Sequence, residues 1–298
     1  MSNMYNIDIN TIKTFTEHFS DIYKDFMDFG GIIYNDAEKS VRVKKLFYAC
    51  AICHNMNWDF LCKIVVPKLY EITNGFNFFD VCNLDELSFE ELFADYPKKN
   101  KIEAPVRLEM LRKLSRYICD NPNNIFDKIL HIKSIEGTNG LSNIINNLPV
   151  FKDDPLHKKG NLLIQILLRE GLVTVYDEYN VEPSIDYHVI RFFLRNGFIG
   201  FDNNTIIKRL ATGDTFKLEE ITEIRRIISD CMKYICTHHN ISIAKLGYIA
   251  WSVGRNYCRN DYINCEHENT CPMIKSCKGY VDLTYRELRE PESNVGFY

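Results

Sequence analysis

The sequence lacks the long apolar runs and leader segments that direct a protein to or across a membrane. No apolar stretch is long enough to span a bilayer, and residues 1–6 do not begin a secretory signal peptide. Hydrophobic residues make up 46% of the chain and charged residues 26%, ordinary values for a folded protein that argue against extensive disorder. We therefore expect a folded, cytoplasmic protein with no membrane partner.

An excess of positive charge is also missing. The chain has 36 Lys and Arg residues against 40 Asp and Glu residues, which gives a net charge of −4. Proteins that bind duplex DNA usually carry a basic footprint. Local basic pairs occur at Lys158–Lys159 and Lys208–Arg209, and each by itself is typical of a solvated surface. The overall charge therefore gives no sign of duplex binding.

Alternation of apolar and polar residues with a period of two is absent over any long stretch, as are internal repeats and low-complexity tracts. Apolar residues instead recur at steps of three and four, which predicts an almost entirely α-helical protein. We expect Pro67 to kink or end one helix. The predicted helices cover residues 8–29, 40–55, 58–70, 105–119, 125–132, 141–147, 158–171, 185–197, 218–238 and 241–255.

Cysteine, by contrast, is abundant. The chain has 11 cysteines, an odd number, and no secretory signal, which favours reduced thiols and metal binding over a disulfide framework. Four of them lie within twenty residues, with six, five and five residues between them: Cys258, Cys265, Cys271 and Cys277.

Four closely spaced thiolates suit either a tetrahedral zinc ion or a [4Fe-4S] cluster. Zinc ribbons usually carry two tight cysteine pairs, whereas the gaps here are wider and nearly even. The spacing favours a [4Fe-4S] cluster; zinc, disulfides and unligated thiols are the alternatives. Cys50 and Cys53, on a predicted helix, are interpreted as packed free thiols, with a redox pair or second metal site as the alternative.

Three segments in the second half of the chain occur in an order known from one enzyme family. They are Ile-Asp-Tyr-His-Val-Ile-Arg at residues 185–191, Gly-Arg-Asn-Tyr-Cys at 254–258, and the cysteine segment. They resemble the Val-Asp-Thr-His-Val-x-Arg and Gly-Arg-x-x-Cys segments and cluster loop of the helix-hairpin-helix base-excision DNA glycosylases, the endonuclease III superfamily. The first and last cysteine gaps match, while the middle gap is five residues where the family has two.

The hairpin of that family is a Leu-Pro-Gly-x-Gly turn whose backbone amides bind a DNA phosphate. Leu148 and Pro149 are present here, but the glycines are missing and the loop is longer. This departure argues against direct anchoring of a duplex. Bifunctional members place a catalytic lysine at the start of the next helix, where this chain has Lys158 and Lys159, of which Lys159 is the stronger candidate.

The resemblance implies that Asp186 is a catalytic carboxylate that stabilises positive charge on the sugar as an N-glycosidic bond breaks. It also implies that Lys159 is a possible nucleophile forming a Schiff base. A helix cap and a surface charge are the respective alternatives. Further candidates for substrate binding are Lys158, Tyr187, His188, Arg191 and Arg255, with Tyr187, Phe192 and Trp251 as stacking surfaces for a flipped base.

The implied fold is a two-lobed, all-α glycosylase-like architecture with a C-terminal iron–sulfur cluster loop. Residues 1–139 would form an N-terminal helical region, and residues 140–298 would hold the hairpin, the aspartate and the cysteines. The implied function is that of a monomeric DNA glycosylase, with or without lyase activity, that removes a damaged or modified base. The alternatives are an N-glycosidase acting on a free modified nucleoside or nucleotide, and a non-catalytic iron–sulfur module that binds nucleic acid.

Overall fold

Helices dominate the chain, and they are described here from a computed structural model. The structure describes residues 5–26, 33–121, 124–260, 265 and 271–291. Within these residues the only strands are two of three residues each, so the predicted all-α class is confirmed. The same residues include no helix long and apolar enough to cross a membrane.

In chain order the described elements are strand β1 (Tyr5–Ile7), helices α1 (Ile9–Glu17), α2 (Phe19–Lys24), α3 (Lys39–Ala51), α4 (Trp58–Phe60), α5 (Val66–Ile72), α6 (Phe78–Asn83), α7 (Glu86–Glu91), α8 (Ala104–Asp120), α9 (Ile125–His131), α10 (Leu141–Asn146), α11 (Lys158–Arg169) and α12 (Tyr187–Asn196), strand β2 (Ile199–Phe201), and helices α13 (Asn204–Thr212), α14 (Leu218–His239), α15 (Ile243–Asn256), α16 (Lys278–Val281) and α17 (Leu283–Arg286). A π-helical turn covers Leu61–Val65, and 3₁₀ turns cover Lys99–Lys101 and Glu178–Asn180.

The chain forms two compact units. The first unit consists of residues 1–30 and 182–295, and the second consists of residues 31–181 and 296–298. This division differs from the boundary between residues 139 and 140 that we expected from the sequence. The predicted hairpin therefore belongs to the second unit, whereas the Asp186 segment and the four cysteines belong to the first.

In the first unit, α12 and α15 pack against each other at very close range. A Cβ atom added to Gly254 would lie 2.2 Å from the carbonyl oxygen of His188, so this approach requires glycine. The core beside them is aromatic: the ring of Phe198 lies 5.2 Å from those of Phe15 and Phe193. Each fully buried phenylalanine of this kind contributes about 1.5–3 kcal/mol to stability.

Strands β1 and β2 of the first unit pair in antiparallel fashion. Tyr5 lies opposite Phe201, and Ile7 lies opposite Ile199. The sequence analysis did not predict this pair, because three-residue strands are too short to show a period-two pattern. The pairing fixes the first described residues of the chain next to the segment that follows α12.

The second unit is built on α3, which packs against α9 and α11, and its Phe47 contacts aromatic residues of α9 and of the loop that precedes α11. The ring of Phe47 lies 5.3 Å from that of Phe126 and 5.2 Å from that of Phe151. Pro67 does not end the helix as predicted, since α5 continues to Ile72, and the predicted kink stays a prediction. The π-helical turn ends just before it, at Val65. Pro67 lies in the first turn of α5, where a backbone N–H has no partner within the helix.

Candidate functional site

Asp186 is the N-cap residue of α12, and its carboxylate is buried. Its Oδ1 accepts a hydrogen bond from the backbone N–H of Val189 at 3.0 Å. Only 8% of the residue is exposed. The structure thus shows the helix-capping geometry that the sequence left open as an alternative. The bond uses one carboxylate oxygen, so capping is compatible with a second role for the negative charge.

Tyr187 and His188 follow Asp186 in the first turn of α12. Burial lowers the pKa of His188, although the carboxylate of Asp186 opposes this shift. The His188 Nδ1 is buried and has no hydrogen-bond partner among the residues that the structure describes. The imidazole lies 4.1 Å from the ring of Tyr187 and meets Trp251 edge to face at 6.3 Å. A neutral imidazole with an open nitrogen can form one hydrogen bond to a ligand.

A half-exposed face of α15 carries the remaining aromatic and cationic candidates. The guanidinium of Arg255 lies 4.8 Å from the ring centroid of Trp251, and Tyr248 stacks beside Trp251 at 6.3 Å. Aromatic rings next to a guanidinium group form a surface on which a base can stack. Phe192, in contrast, is completely buried against Phe198, so its predicted role as a stacking surface is wrong.

Arg191 lies one turn after His188 and is almost completely buried. Its guanidinium pairs with the carboxylate of Glu290 and donates to the carbonyl oxygens of Gly254 at 3.1 Å and Cys258 at 3.2 Å. The structure therefore places Arg191 between α12 and the end of α15. Its role as a substrate contact stays a prediction.

Arg195, one turn further along α12, also binds the first cysteine. It donates to the carbonyl oxygen of Cys258 at 2.6 Å and to the carbonyl oxygen of Leu288 at 2.7 Å. In addition, the Sγ of Cys277 lies 3.6 Å from the carbonyl oxygen of Arg195. The second half of α12 is thus a support for the cysteine segment. Arg195 was not predicted from the sequence, although its spacing of four residues from Arg191 puts both on one face of the helix.

The four cysteines lie where α15 ends and α16 begins. Burial raises the pKa of Cys258 to about 11 and that of Cys271 to about 12. Burial also raises the pKa of Cys277, and the Cys258, Cys271 and Cys265 thiols add to this shift. Each of these thiols is therefore close enough to the others to influence its ionisation. The residues at 261–264 and 266–270 lie outside the described part of the chain.

The surroundings of Cys258 fit a thiolate-bound metal group. The guanidinium groups of Arg195 and Arg191 both lower the pKa of its thiol, against the larger effect of burial. Positive charge next to thiolates offsets the negative charge that a cysteine-bound cluster would bring. In the part of the chain that the structure describes, no three His, Cys, Asp or Glu side chains are arranged to hold one metal ion. The metal-ligand role of the four cysteines stays a prediction.

In the second unit, Lys159 is a buried cation. Its Nζ donates to the carbonyl oxygen of Ala51, the last residue of α3, at 2.8 Å. Burial lowers its pKa to about 8, although Cys53 opposes this shift. A lysine with such a pKa is partly neutral near pH 8, as a nucleophilic amine must be. The predicted alternative, a surface charge, is wrong because Lys159 is only 2% exposed.

Lys158 is also buried, and its Nζ lies 3.4 Å from the Sγ of Cys53. Cys53 and Cys50 are free and buried, as expected for packed thiols. Arg107, which the sequence analysis did not single out, donates from its guanidinium to the carbonyl oxygens of Ile52 and His54. Lys159 and Arg107 thus satisfy carbonyl groups at the C-terminal end of α3, where cations are favoured.

The loop between α10 and α11 has no glycine, yet two of its residues adopt backbone conformations that are typical of glycine. Val150 and His157 both have left-handed backbones, with φ of 72° and 51°. Such angles are normally adopted by glycine and are costly for a β-branched residue such as valine. The loop therefore keeps two glycine-like positions without glycine.

The first amide of α11 and one amide of the preceding loop are bound by a side chain of the protein itself. The carboxylate of Asp154 accepts from the backbone N–H of Leu156 at 3.0 Å and from that of Lys158 at 2.8 Å. Asp154 is only 2% exposed. Helix N-terminal amides commonly bind phosphate, but here a carboxylate already occupies them.

The structure groups the predicted residues in two sets. Asp186, Tyr187, His188, Arg191, Arg255 and the four cysteines lie in the first unit, whereas Lys158 and Lys159 lie in the second. Comparison with protein-family models finds no match for this chain. Comparison with curated proteins likewise finds none.

Proposed function

We propose that this protein is an iron–sulfur DNA glycosylase with a helix-hairpin-helix glycosylase-like fold, which removes a damaged or modified base and uses Asp186 as its catalytic carboxylate. The observation that carries the proposal is the placement of two features on α12. Its N-terminal cap is the buried carboxylate of Asp186, and its second half binds the cysteine segment through Arg191 and Arg195. One helix thereby links a carboxylate to a four-thiol segment.

We assign a [4Fe-4S] cluster to the four cysteines, with zinc as the alternative metal. When bound, the group orders the segment between α15 and α16 and takes no part in the reaction. Arg191 and Arg195 support this assignment, because they hold the backbone of Cys258 and bring positive charge to its thiol. The ligands are Cys258, Cys265, Cys271 and Cys277.

The chemistry assigned to Asp186 follows from its charge and burial. Positive charge builds on the sugar as an N-glycosidic bond breaks, and a carboxylate in a poorly solvated place stabilises that charge strongly. The same carboxylate can accept a proton from the attacking water. In a lyase reaction Lys159 would attack instead, since its pKa of about 8 leaves part of its amine neutral.

A second candidate function keeps the reaction and changes the substrate to a free modified nucleoside or nucleotide. The observation that favours it is the carboxylate of Asp154, which binds the amides of Leu156 and Lys158. A phosphate of a duplex would have to displace this buried carboxylate to bind there. The net charge of −4 supports the same choice, because it does not attract a polyanion.

The substitution Asp186→Asn tests the proposal, because asparagine caps a helix as well as aspartate does but has no charge. We expect base release to fall by roughly 100-fold or more, with little change in melting temperature. The matched control is Asp8→Asn, since Asp8 caps α1 in the same unit through the N–H of Thr11 at 3.0 Å. This control should keep full activity.

Release of free base would be measured by chromatography and mass spectrometry on two substrate sets. One set is duplex oligonucleotides with oxidised, alkylated or deaminated bases, and the other is modified nucleosides with their monophosphates. Release from the first set supports a DNA glycosylase, and release from the second supports the nucleoside enzyme. Activity that survives Asp186→Asn would reject the role of Asp186. Nucleic-acid binding without release from either set would favour the non-catalytic module.

A further inference from the structure

The second unit contains an aromatic cavity of about 240 Å³ that includes none of the residues of the proposed reaction. It lies between α3, α8 and α9 and the segment that precedes α6. Its aromatic lining residues are Tyr48, Phe76, Phe78 and Phe126. A small cavity lined by several aromatic rings suits a planar ligand, which can stack on one ring or meet another at its edge.

One wall is held in place by a strained turn. Asn74, Gly75 and Phe76 are three consecutive residues with left-handed backbones, with φ of 46°, 79° and 60°. A bulky aromatic residue rarely takes this conformation. The result is that the ring of Phe76 stacks on Tyr48 at 4.1 Å with an interplanar angle of 21°. The wall is therefore preorganised before any ligand arrives.

Two hydroxyl groups line the cavity at its buried side. The Oη of Tyr48 and the Oγ of Ser115 lie 3.2 Å apart and share one hydrogen bond. Burial raises the pKa of Tyr48 to about 12, so its phenol stays neutral at physiological pH. Because the pair holds two hydroxyl hydrogens and uses one between its members, the other can be donated to a ligand.

The described lining of the cavity carries positive charge. Lys44 is the one charged side chain among the described residues of the lining, and its Nζ lies 5.6 Å from the ring centroid of Phe126. No carboxylate among the described lining residues balances it. A ligand that complements this lining combines a flat ring with a negative charge at its edge.

We propose that this cavity is a binding site for a small planar aromatic acid, whose ring packs against Phe76 and Phe126 and whose carboxylate faces Lys44. The volume limits the ligand to one ring or two fused rings, because larger drug-like ligands occupy sites of roughly 300 Å³ and above. The site is independent of the proposed N-glycosidase reaction. Its mouth is marked by Cys119, an exposed thiol.

The test is calorimetric titration of the full-length protein with indole-3-carboxylate, indole and cyclohexanecarboxylate. We expect saturable binding of the aromatic acid, weaker binding of indole and none of the non-aromatic acid. The variant Lys44→Gln should weaken binding of the acid by roughly fivefold and leave indole unchanged, as expected for loss of one half-exposed charge pair. The matched control is Lys113→Gln, an exposed lysine of α8 outside the cavity lining.

The second readout is alkylation of Cys119 by iodoacetamide, followed by peptide mapping. The aromatic acid should slow this reaction at the concentrations that saturate the calorimetric signal, because it covers the mouth of the cavity. Equal binding of the acid by wild type and Lys44→Gln would overturn the assignment of the charge. Absence of saturable binding by both aromatic compounds would overturn the site itself.

Discussion

At the scale of single residues, Lys159 combines two properties that usually exclude each other. It is buried and donates to the carbonyl oxygen of Ala51, as a structural cation at a helix end does. The same burial lowers its pKa to about 8, which gives the amine nucleophilic character. The charged form is therefore the structural one, and the neutral form is the one that the proposed lyase reaction requires.

This conflict predicts a pH dependence of stability. The pKa of Lys159 in the folded protein, about 8, lies below its usual value of 10.5. Between these two pH values the unfolded chain binds more protons, so the free energy of unfolding rises with pH. Below pH 8 both states are protonated, and the cost of burying the charge is fully present.

The prediction is measured as a difference between wild type and Lys159→Met in urea unfolding at a series of pH values. The wild-type stability should rise relative to the variant between about pH 8 and pH 10.5. Titratable groups that do not interact with Lys159 cancel in the difference. The exposed Lys113, replaced in the same way, is the matched control for the loss of a lysine side chain. A flat difference for Lys159→Met would contradict the lowered pKa.

At the scale of elements, the N-terminal end of α11 is bound by a carboxylate of the same chain instead of by an external anion. The carboxylate of Asp154 binds two amides at the start of α11 and is itself buried. An acidic group at this position is favoured by the helix dipole as well as by the two hydrogen bonds. Asp154 therefore stabilises the loop and at the same time closes an anion site.

Asp154→Ala should reveal that site. We expect the variant to lose about 1–2 kcal/mol of stability, the usual cost of removing a capping side chain. Sulfate or phosphate should then restore part of the loss, because the freed amides of Leu156 and Lys158 can bind an anion. The measurement is the melting temperature with and without sulfate at constant ionic strength. An equal response to sulfate in wild type and variant would contradict the interpretation.

The elements also show what the sequence could predict. Helices α12, α14 and α15 were predicted within a few residues, because their apolar stripes are long and their caps, such as Gly197, are clear. The pair β1–β2 was missed, because its register depends on residues 192 to 196 positions apart in the chain, from Ile7 with Ile199 to Tyr5 with Phe201. Capping by Asp154 was missed for a related reason: an aspartate before a helix is common, and its burial comes from packing.

The candidate site was predictable to a similar extent. The position of Asp186 at a helix start followed from the sequence, and the structure confirms the capping geometry. The burial of Lys158 and Lys159 did not follow from the sequence, because basic pairs in a first helical turn are mostly exposed. The contacts of Arg195 and Arg107 with distant carbonyl groups depend on tertiary packing, which no local pattern encodes.

At the scale of the whole molecule, the metal content is the property to measure first. Protein purified without oxygen should contain about four irons per chain and absorb broadly near 400 nm if the four cysteines bind [4Fe-4S]. Cys277→Ser should lose this iron. Cys236→Ser, a half-buried free cysteine of α14 in the same unit, should retain it. A colourless wild-type protein with one zinc would replace the cluster by the alternative metal.

The pairing of β1 with β2 also has a consequence for folding during synthesis of the chain. Ile7 leaves the ribosome 192 residues before its partner Ile199, an interval of roughly 10–40 s at usual translation rates. Residues 31–181, which form most of the second unit, emerge completely within that interval. The N-terminal strand therefore has no pairing partner while most of the second unit is able to fold, and the pairing of β1 with β2 forms only afterwards.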